Sequence, residues 1–189
     1  MPEKLLAVDQ VFALLAHAPP AIAEATADVE PARLRRSPAK GEWSANEVLG
    51  HLRSCADVWG GCIAVILTQS QPKIRAINPR TWIKGTNYLE LDFHASLDAY
   101  AQQRSELMKV LHALTEDEWS LSITVTGAGK TLVRTTFFYA HWLATHERAH
   151  VKQIERLADE VRSLAGLLPA RPGIEALVEQ TPGSDVPFP

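Results

Sequence analysis

A long segment in the C-terminal half of the chain constrains the fold most. Residues 133–164 contain neither proline nor glycine and are rich in alanine, glutamate, arginine and leucine, which are good helix formers. We predict one helix over residues 135–164, and a helix of about 45 Å needs other long elements to cover its apolar face. Its inward stripe would consist of Tyr139, Trp142, His146, His150, Gln153 and Leu157.

Three further segments carry apolar residues at the spacing of an amphipathic helix. They cover residues 3–30, 45–66 and 95–114. The second begins after Ser44 and Glu47, the pair that forms a capping box at the start of a helix. Four such helices with hardly any strand pattern predict an all-α fold, namely a four-helix bundle.

The segments that interrupt these helices have recognisable signals. Pro19 and Pro20 fall inside the first predicted helix, where we expect a kink or a break. Residues 68–93 form a long connection that contains prolines and a glycine. Residues 121–126 alternate as a short strand and a glycine turn then leads into residues 130–133, so we predict a small β-hairpin or irregular insert between helices three and four.

Length and composition limit the class of protein. A chain of 189 residues can bury one full core, and we predict one domain over residues 1–168 followed by a proline-rich tail over residues 169–189. The formal charge of −3 provides no basic surface for nucleic acid, and no stretch approaches a membrane span. Cys55 and Cys62 lie too far apart on one predicted helix to bridge each other, which favours a reducing, cytoplasmic setting.

Histidines dominate the candidate site. His146 and His150 lie one turn apart on the same helix, so their imidazoles can converge on one ion. Two histidines do not hold a divalent transition metal alone. His51 lies on the inward stripe of the second helix and could supply the third donor across the bundle, although a histidine on an apolar face is more commonly a hydrogen-bonded core residue. Three neutral imidazoles suit zinc, nickel or iron and leave positions open for water or substrate.

The segment His146-Glu147-Arg148-Ala149-His150 also matches the zincin motif, in which the glutamate serves as general base. Zincins need a third protein ligand and are typically preceded by a strand-rich lobe. The downstream carboxylates of this chain lie on the same helix or in the tail, and no such lobe is indicated. A metalloprotease is therefore the less favoured alternative, and Glu147 is expected either on the surface or at the edge of the site.

Several neighbouring residues have two interpretations. Arg104 lies on the inward stripe of the third helix, and we expect its guanidinium to reach the surface rather than a polar pocket. Cys55, one turn beyond His51, could be a fourth ligand, although a small buried packing residue is the favoured role. Aromatic side chains could form pocket walls, or simply the core, at Trp59, Tyr139 and Trp142.

Two motifs together resemble a known family. Glu42-Trp43-Ser44 leads into Val48-Leu49-Gly50-His51-Leu52, and the last helix carries His146-Glu147 and His150, followed by Gln153-Ile154. With these motifs the chain resembles the DinB-like superfamily of metal-binding four-helix bundles over roughly residues 10–160. That group includes thiol-dependent S-transferases and maleylpyruvate isomerase-type enzymes. The resemblance implies that His51, His146 and His150 are metal ligands and that Gln153 is a neighbour of the site.

We therefore expect a divalent metal that activates a small thiol or water for a small-molecule substrate. A thiolate would serve S-transfer or isomerisation, and a hydroxide would serve hydrolysis. Glu147 and Arg104 are the candidate catalytic residues. The alternative from another class is a non-catalytic bundle that binds a ligand or partner, or forms a homodimer, with its histidines buried and hydrogen-bonded.

Overall fold

The computed structural model describes residues 5–167, in which four long helices form a bundle. This confirms the predicted all-α four-helix bundle; the predicted tail over residues 169–189 lies outside the described residues. No helix within residues 5–167 has the length and apolar content needed to cross a bilayer. In chain order the elements are α1 (Val8–Thr26), α2 (Pro31–Leu34), α3 (Ala45–Thr68), β1 (Lys73–Arg75), α4 (Pro79–Trp82), a 3-10 turn (Ile83–Gly85), α5 (Phe93–His112), β2 (Ser122–Thr126), β3 (Leu132–Thr135) and α6 (Thr136–Leu167).

Helices α3 and α6 pack directly against each other in the bundle. Helix α1 packs against α6 and α5, and α5 in turn packs against α3. Each large aliphatic side chain removed from water in this core contributes about 1.5–3 kcal/mol relative to leaving it exposed. Because α3 contacts α6 directly, His51 of α3 faces the two histidines of α6. The fully buried side chains that hold the helices together include Leu15, Ile22, Leu49, Leu52, Tyr100, Leu143 and Ile154.

The capping box at the start of α3 forms as the sequence predicts. The Ser44 hydroxyl accepts a hydrogen bond from the Glu47 backbone N–H at 3.2 Å, and a Glu47 carboxylate oxygen accepts from the Ser44 backbone N–H at 2.7 Å. The box satisfies two amides that would otherwise lack partners at the helix start. It fixes the start of α3 at Ala45, and so places His51 two turns into the helix.

Helix α1 does not break at its prolines. It continues from Val8 to Thr26 through both Pro19 and Pro20, so the expected break is wrong. Ala18, Pro19, Ala21 and Ile22 are buried against the rest of the bundle. Tertiary packing of an apolar face supplies most of the stability of a protein helix, and here it outweighs the local cost of proline.

The bundle is accompanied by a three-stranded sheet, one strand more than predicted, which contacts α3 and α6. Strands β2 and β3 pair antiparallel and confirm the expected hairpin, whose turn contains two glycines with φ of 82° and 85°, Gly127 and Gly129. The additional strand β1 comes from the long connection and pairs parallel with β2, with Lys73 opposite Thr124. Its three residues are too few to show the alternation that identifies a strand in a sequence.

Candidate metal centre

Three imidazoles meet at the contact between α3 and α6. The Nε2 atoms of His51 and His146 lie 3.4 Å apart. The ring centroid of His150 lies 5.1 Å from that of His51 and 4.5 Å from that of His146. His51 is only 6% exposed, and the two α6 rings are half-buried. The structure therefore brings together the three histidines that the sequence singles out.

The spacing of the two Nε2 atoms suits a transition metal. Nitrogen ligands about 2.0–2.1 Å from a tetrahedral ion lie about 3.4 Å from each other. The same separation is longer than the usual N–H···N hydrogen bond between two neutral rings. The residues present therefore fit a divalent ion of the zinc, nickel or iron type, for which imidazole is a suitable donor.

Cys55 adds a sulfur atom to the same cluster. Its Sγ lies 3.5 Å from His51 Nε2, and ligand atoms of His51, Cys55 and His146 all lie within 4.8 Å of one another. This is the one such group of metal-ligating side chains found within residues 5–167, and it includes Cys55 but not His150. The thiol is fully buried, as expected for a packing residue, and it lies beside His51 as its position one turn along the helix predicts.

Burial sets the protonation of the donors. Burial first, and then the charges of neighbouring histidines and Arg80, lower the pKa of His51 to about 4 and that of His146 to about 3. Burial also lowers the pKa of His150. All three rings are therefore neutral near pH 7, the form in which imidazole binds a metal.

The same burial has the opposite effect on the thiol. Burial, and then the negative charge of Glu147, raise the pKa of the Cys55 thiol. A thiol binds a metal as the thiolate, and a bound ion itself lowers the pKa of a coordinating thiol. Beside the His51 and His146 pair, the structure therefore offers two neighbouring donors, Cys55 and His150.

Gln153 orients one of the rings. Its side-chain Oε1 lies 2.9 Å from His150 Nδ1. A carbonyl oxygen only accepts hydrogen bonds, so Nδ1 carries the proton and Nε2 keeps its lone pair. Outer contacts of this kind fix the tautomer of a ligating histidine. The position agrees with the role that the family resemblance implies for Gln153.

Tryptophan rings enclose the cluster. The Trp43 ring centroid lies 5.1 Å from that of His51 and stacks on His150 at 6.5 Å, and the Trp59 ring lies edge-on to His146 at 5.0 Å. Of the three expected wall residues, Trp59 is therefore at the site. Tyr139 is buried in the core, whereas Trp142 is 45% exposed, so its expected inward position is wrong.

Arg104 and Glu147 form a buried ion pair between α5 and α6. They are 2% and 0% exposed, and Arg104 Nη2 donates to Glu147 Oε1. The expected surface position of Arg104 is therefore wrong. The alternative that Glu147 is exposed is also wrong. Each charge compensates the other, and this allows both to remain inside the bundle.

With its carboxylate bound by Arg104, Glu147 is not placed as a general base. This removes the main support for a zincin-like protease.

Arg80 lies over the Trp43 ring, which contacts His51, and no sequence pattern indicated it. It belongs to the short helix α4, which Asn78 caps by accepting the Arg80 backbone N–H at 2.9 Å, with Pro79 as the first helical residue. The pair Asn78-Pro79 is a recognisable helix start. Its position relative to the histidines depends on the fold of the connection, so the sequence alone does not reveal it.

The fold and these side chains define a helical bundle with a histidine-rich site between two of its helices. The chain belongs to the DinB superfamily, whose family model matches residues 14–154, and this confirms the resemblance inferred from the two motifs. No curated protein sequence gives a significant match.

Among solved structures, the chain is similar to YfiT from Bacillus subtilis, which is described as a probable metal-dependent hydrolase with an unusual four-helix bundle topology. The two share 17% sequence identity with a TM-score of 0.71, over 86% of this chain and 93% of YfiT. At this identity the likeness shows a common fold and no more.

Proposed function

We propose that this chain is a metal-dependent enzyme that binds a divalent transition metal through His51, His146 and His150 and acts on a small molecule. The observation that carries the proposal is the 3.4 Å separation of the His51 and His146 Nε2 atoms in a cluster where burial keeps both rings neutral. The description of YfiT as a probable metal-dependent hydrolase supports the same class of activity. S-transfer to or from a small thiol, or hydrolysis, are the two reactions proposed.

The bound ion would lower the pKa of a thiol or water ligand and polarise the substrate. The remaining roles belong to the protein. His51 and His146 present Nε2 atoms from facing helices, and Gln153 holds His150 in the tautomer that leaves Nε2 free. Trp43 and Trp59 pack against the imidazoles of His51 and His146. In the S-transfer reaction a carbon–sulfur bond forms, the bond to the leaving group breaks, and the thiol proton passes to solvent.

Metal content tests the site directly. After tag-free purification, mass spectrometry should find about one equivalent of zinc, nickel or iron per chain, because three neutral imidazoles form a strong site. His146→Ala and His150→Ala should lose most of it. His17→Ala removes an exposed histidine of α1 and should leave the content unchanged. A wild-type protein that is metal-free and takes up no ion at pH 7 would overturn the proposal.

Activity tests the reaction. We expect metal-dependent turnover with a simple electrophile plus a small thiol, or with an activated ester, and its loss in His51→Ala with helical content retained by circular dichroism. Chelator should abolish turnover and added metal should restore it. Turnover that is unchanged in His51→Ala would contradict the proposed site.

One observation favours a non-catalytic bundle as the second candidate. Cys55 Sγ lies 3.5 Å from His51 Nε2, so thiol and imidazoles could satisfy one another without an ion. Such a bundle would bind a ligand or dimerise. A metal-free protein that is stable and dimeric by light scattering would support this candidate.

A further inference from the structure

Arg80 presents a cation beside the histidine cluster without a carboxylate partner among residues 5–167. Its side chain is exposed, and its guanidinium carbon lies 5.0 Å from the centroid of the Trp43 ring. The same ring contacts His51 and stacks on His150. Trp43 is therefore a shared neighbour of Arg80 and of two of the proposed ligands.

The backbone that carries Arg80 is fixed to the helix that carries His51. The Ser54 hydroxyl, one turn beyond His51, is buried and donates to the Pro79 carbonyl at 2.7 Å. Two residues after Arg80, the Trp82 indole N–H donates to Asp57 Oδ2 at 3.1 Å. Both contacts join α4 to α3, so the position of Arg80 relative to the cluster is set by the fold rather than by a free loop.

Arg80 is joined to the cluster through one side chain. The Trp43 ring centroid lies 5.0 Å from the Arg80 guanidinium carbon and 5.1 Å from the His51 ring centroid. A cation this close to a ring that contacts His51 is close enough to hold the far end of a ligand bound at the cluster. Stacking on tryptophan leaves the guanidinium N–H groups at its edge available, since the cation–π contact uses the face of the planar group.

We infer that Arg80 binds the carboxylate of a small anionic thiol or substrate whose reacting end reaches the histidine cluster. This inference rests on the proposed function, since it names the substrate class of the same site. A guanidinium offers paired N–H donors that match the two oxygens of a carboxylate. A single arginine balances a single negative charge, which favours a carboxylate over a doubly charged phosphate. Arg80 is then a specificity-determining residue.

Two thiols that differ mainly in a carboxylate test the inference on protein loaded with Co²⁺. The probes are 3-mercaptopropionate and 2-mercaptoethanol, and each is followed by the sulfur-to-cobalt absorption band. Wild-type protein should bind 3-mercaptopropionate more tightly by about ten-fold, the low end for a hydrogen bond to a charged group because Arg80 is exposed. Arg80→Gln should remove this preference, with cobalt content and 2-mercaptoethanol binding unchanged, and Arg80→Lys should retain part of it.

Arg36→Gln is the matched control, because it removes an exposed arginine of the loop before α3 and should keep the preference. An unchanged preference in Arg80→Gln, no preference in the wild type, or equal weakening of both thiols in Arg80→Gln would overturn the inference while leaving metal binding intact. Failure of the wild type to take up cobalt would instead overturn the proposed function, and the inference with it.

Discussion

The side-chain carbonyl oxygen of Gln153 lies 2.9 Å from His150 Nδ1, one helical turn along α6. The amide of Gln153 is a poor metal ligand, whereas the imidazole of His150 is a good one. The contact places the His150 proton on Nδ1 and leaves the Nε2 lone pair free to bind a metal. The availability of the third imidazole therefore depends on an amide that is itself outside the cluster.

Replacing that amide should weaken metal binding without removing a ligand. We expect Gln153→Leu to lower metal affinity by about 10–100-fold, the usual effect of losing the partner of a ligating histidine. Gln153→Glu keeps an oxygen acceptor and should retain most of the affinity. Competition with a chromophoric chelator measures the change, and Lys152→Leu, at an exposed position next to it, is the control. Equal affinities in Gln153→Leu and wild type would show that the contact does not orient His150.

The buried pair of Arg104 and Glu147 should behave as a unit. Arg104→Met leaves the Glu147 carboxylate buried without compensation and should lower the free energy of unfolding by about 3–5 kcal/mol. The double variant Arg104→Met/Glu147→Leu removes both charges and should recover much of that loss. Urea unfolding followed by circular dichroism provides the comparison. If the free energy of unfolding of Arg104→Met lies within about 1 kcal/mol of the wild-type value, water reaches the ion pair.

The metal-free protein should lose stability as the pH falls below neutral. The pKa values of His51 and His146 are about 4 and about 3 in the folded chain, against 6.5 without the fold, so the unfolded chain takes up protons first. A depressed histidine pKa stabilises the fold above pH 6.5, and this contribution disappears between pH 6.5 and about 3.

Melting temperatures measured after chelation across that range would show the effect. His51→Gln and His146→Gln should each flatten the dependence, while His17→Gln, at an exposed position of α1, should leave it unchanged. A dependence that is equally steep in wild type and in both cluster variants would contradict this assignment.

The capping box of α3 should contribute to stability and not to the chemistry. Ser44→Ala removes the acceptor of the Glu47 backbone N–H and should cost about 1 kcal/mol of unfolding free energy. Ser44→Asp supplies another capping oxygen and should restore it. Thermal melts would detect a decrease of about 2–4 °C for a chain of this size. Metal content should stay at the wild-type value in both variants, which separates this effect from damage to the site.

Local sequence patterns predicted the long helices and the approximate place of the site. The periodicity of α3 and α6 is a property of each segment, so it identifies His51, His146 and His150 as inward-facing residues without knowledge of their neighbours. The capping box is also a property of one short segment. The pairing of α3 with α6 depends on distant parts of the chain, and it was the resemblance of the two motifs to a known family that implied it.

The features that the sequence did not reveal depend on distant partners. Arg104 could be expected inside the bundle only if Glu147 were known to face it from another helix. Strand β1 exists because β2, far along the chain, offers it an edge. Arg80 reaches the cluster because two contacts tie α4 to α3. In each case burial or pairing in three dimensions outweighs the tendency of the local segment.

The packing of α1 and α3 against α6 also determines when the protein can fold. His51 and His146 are 95 residues apart, and the first long helix is covered by the last one. Contacts of such sequence separation carry a large loop-closure entropy and form late. On the ribosome, the apolar faces of α1 and α3 would therefore wait for α6 to emerge, and during that interval the nascent chain would depend on protection from aggregation.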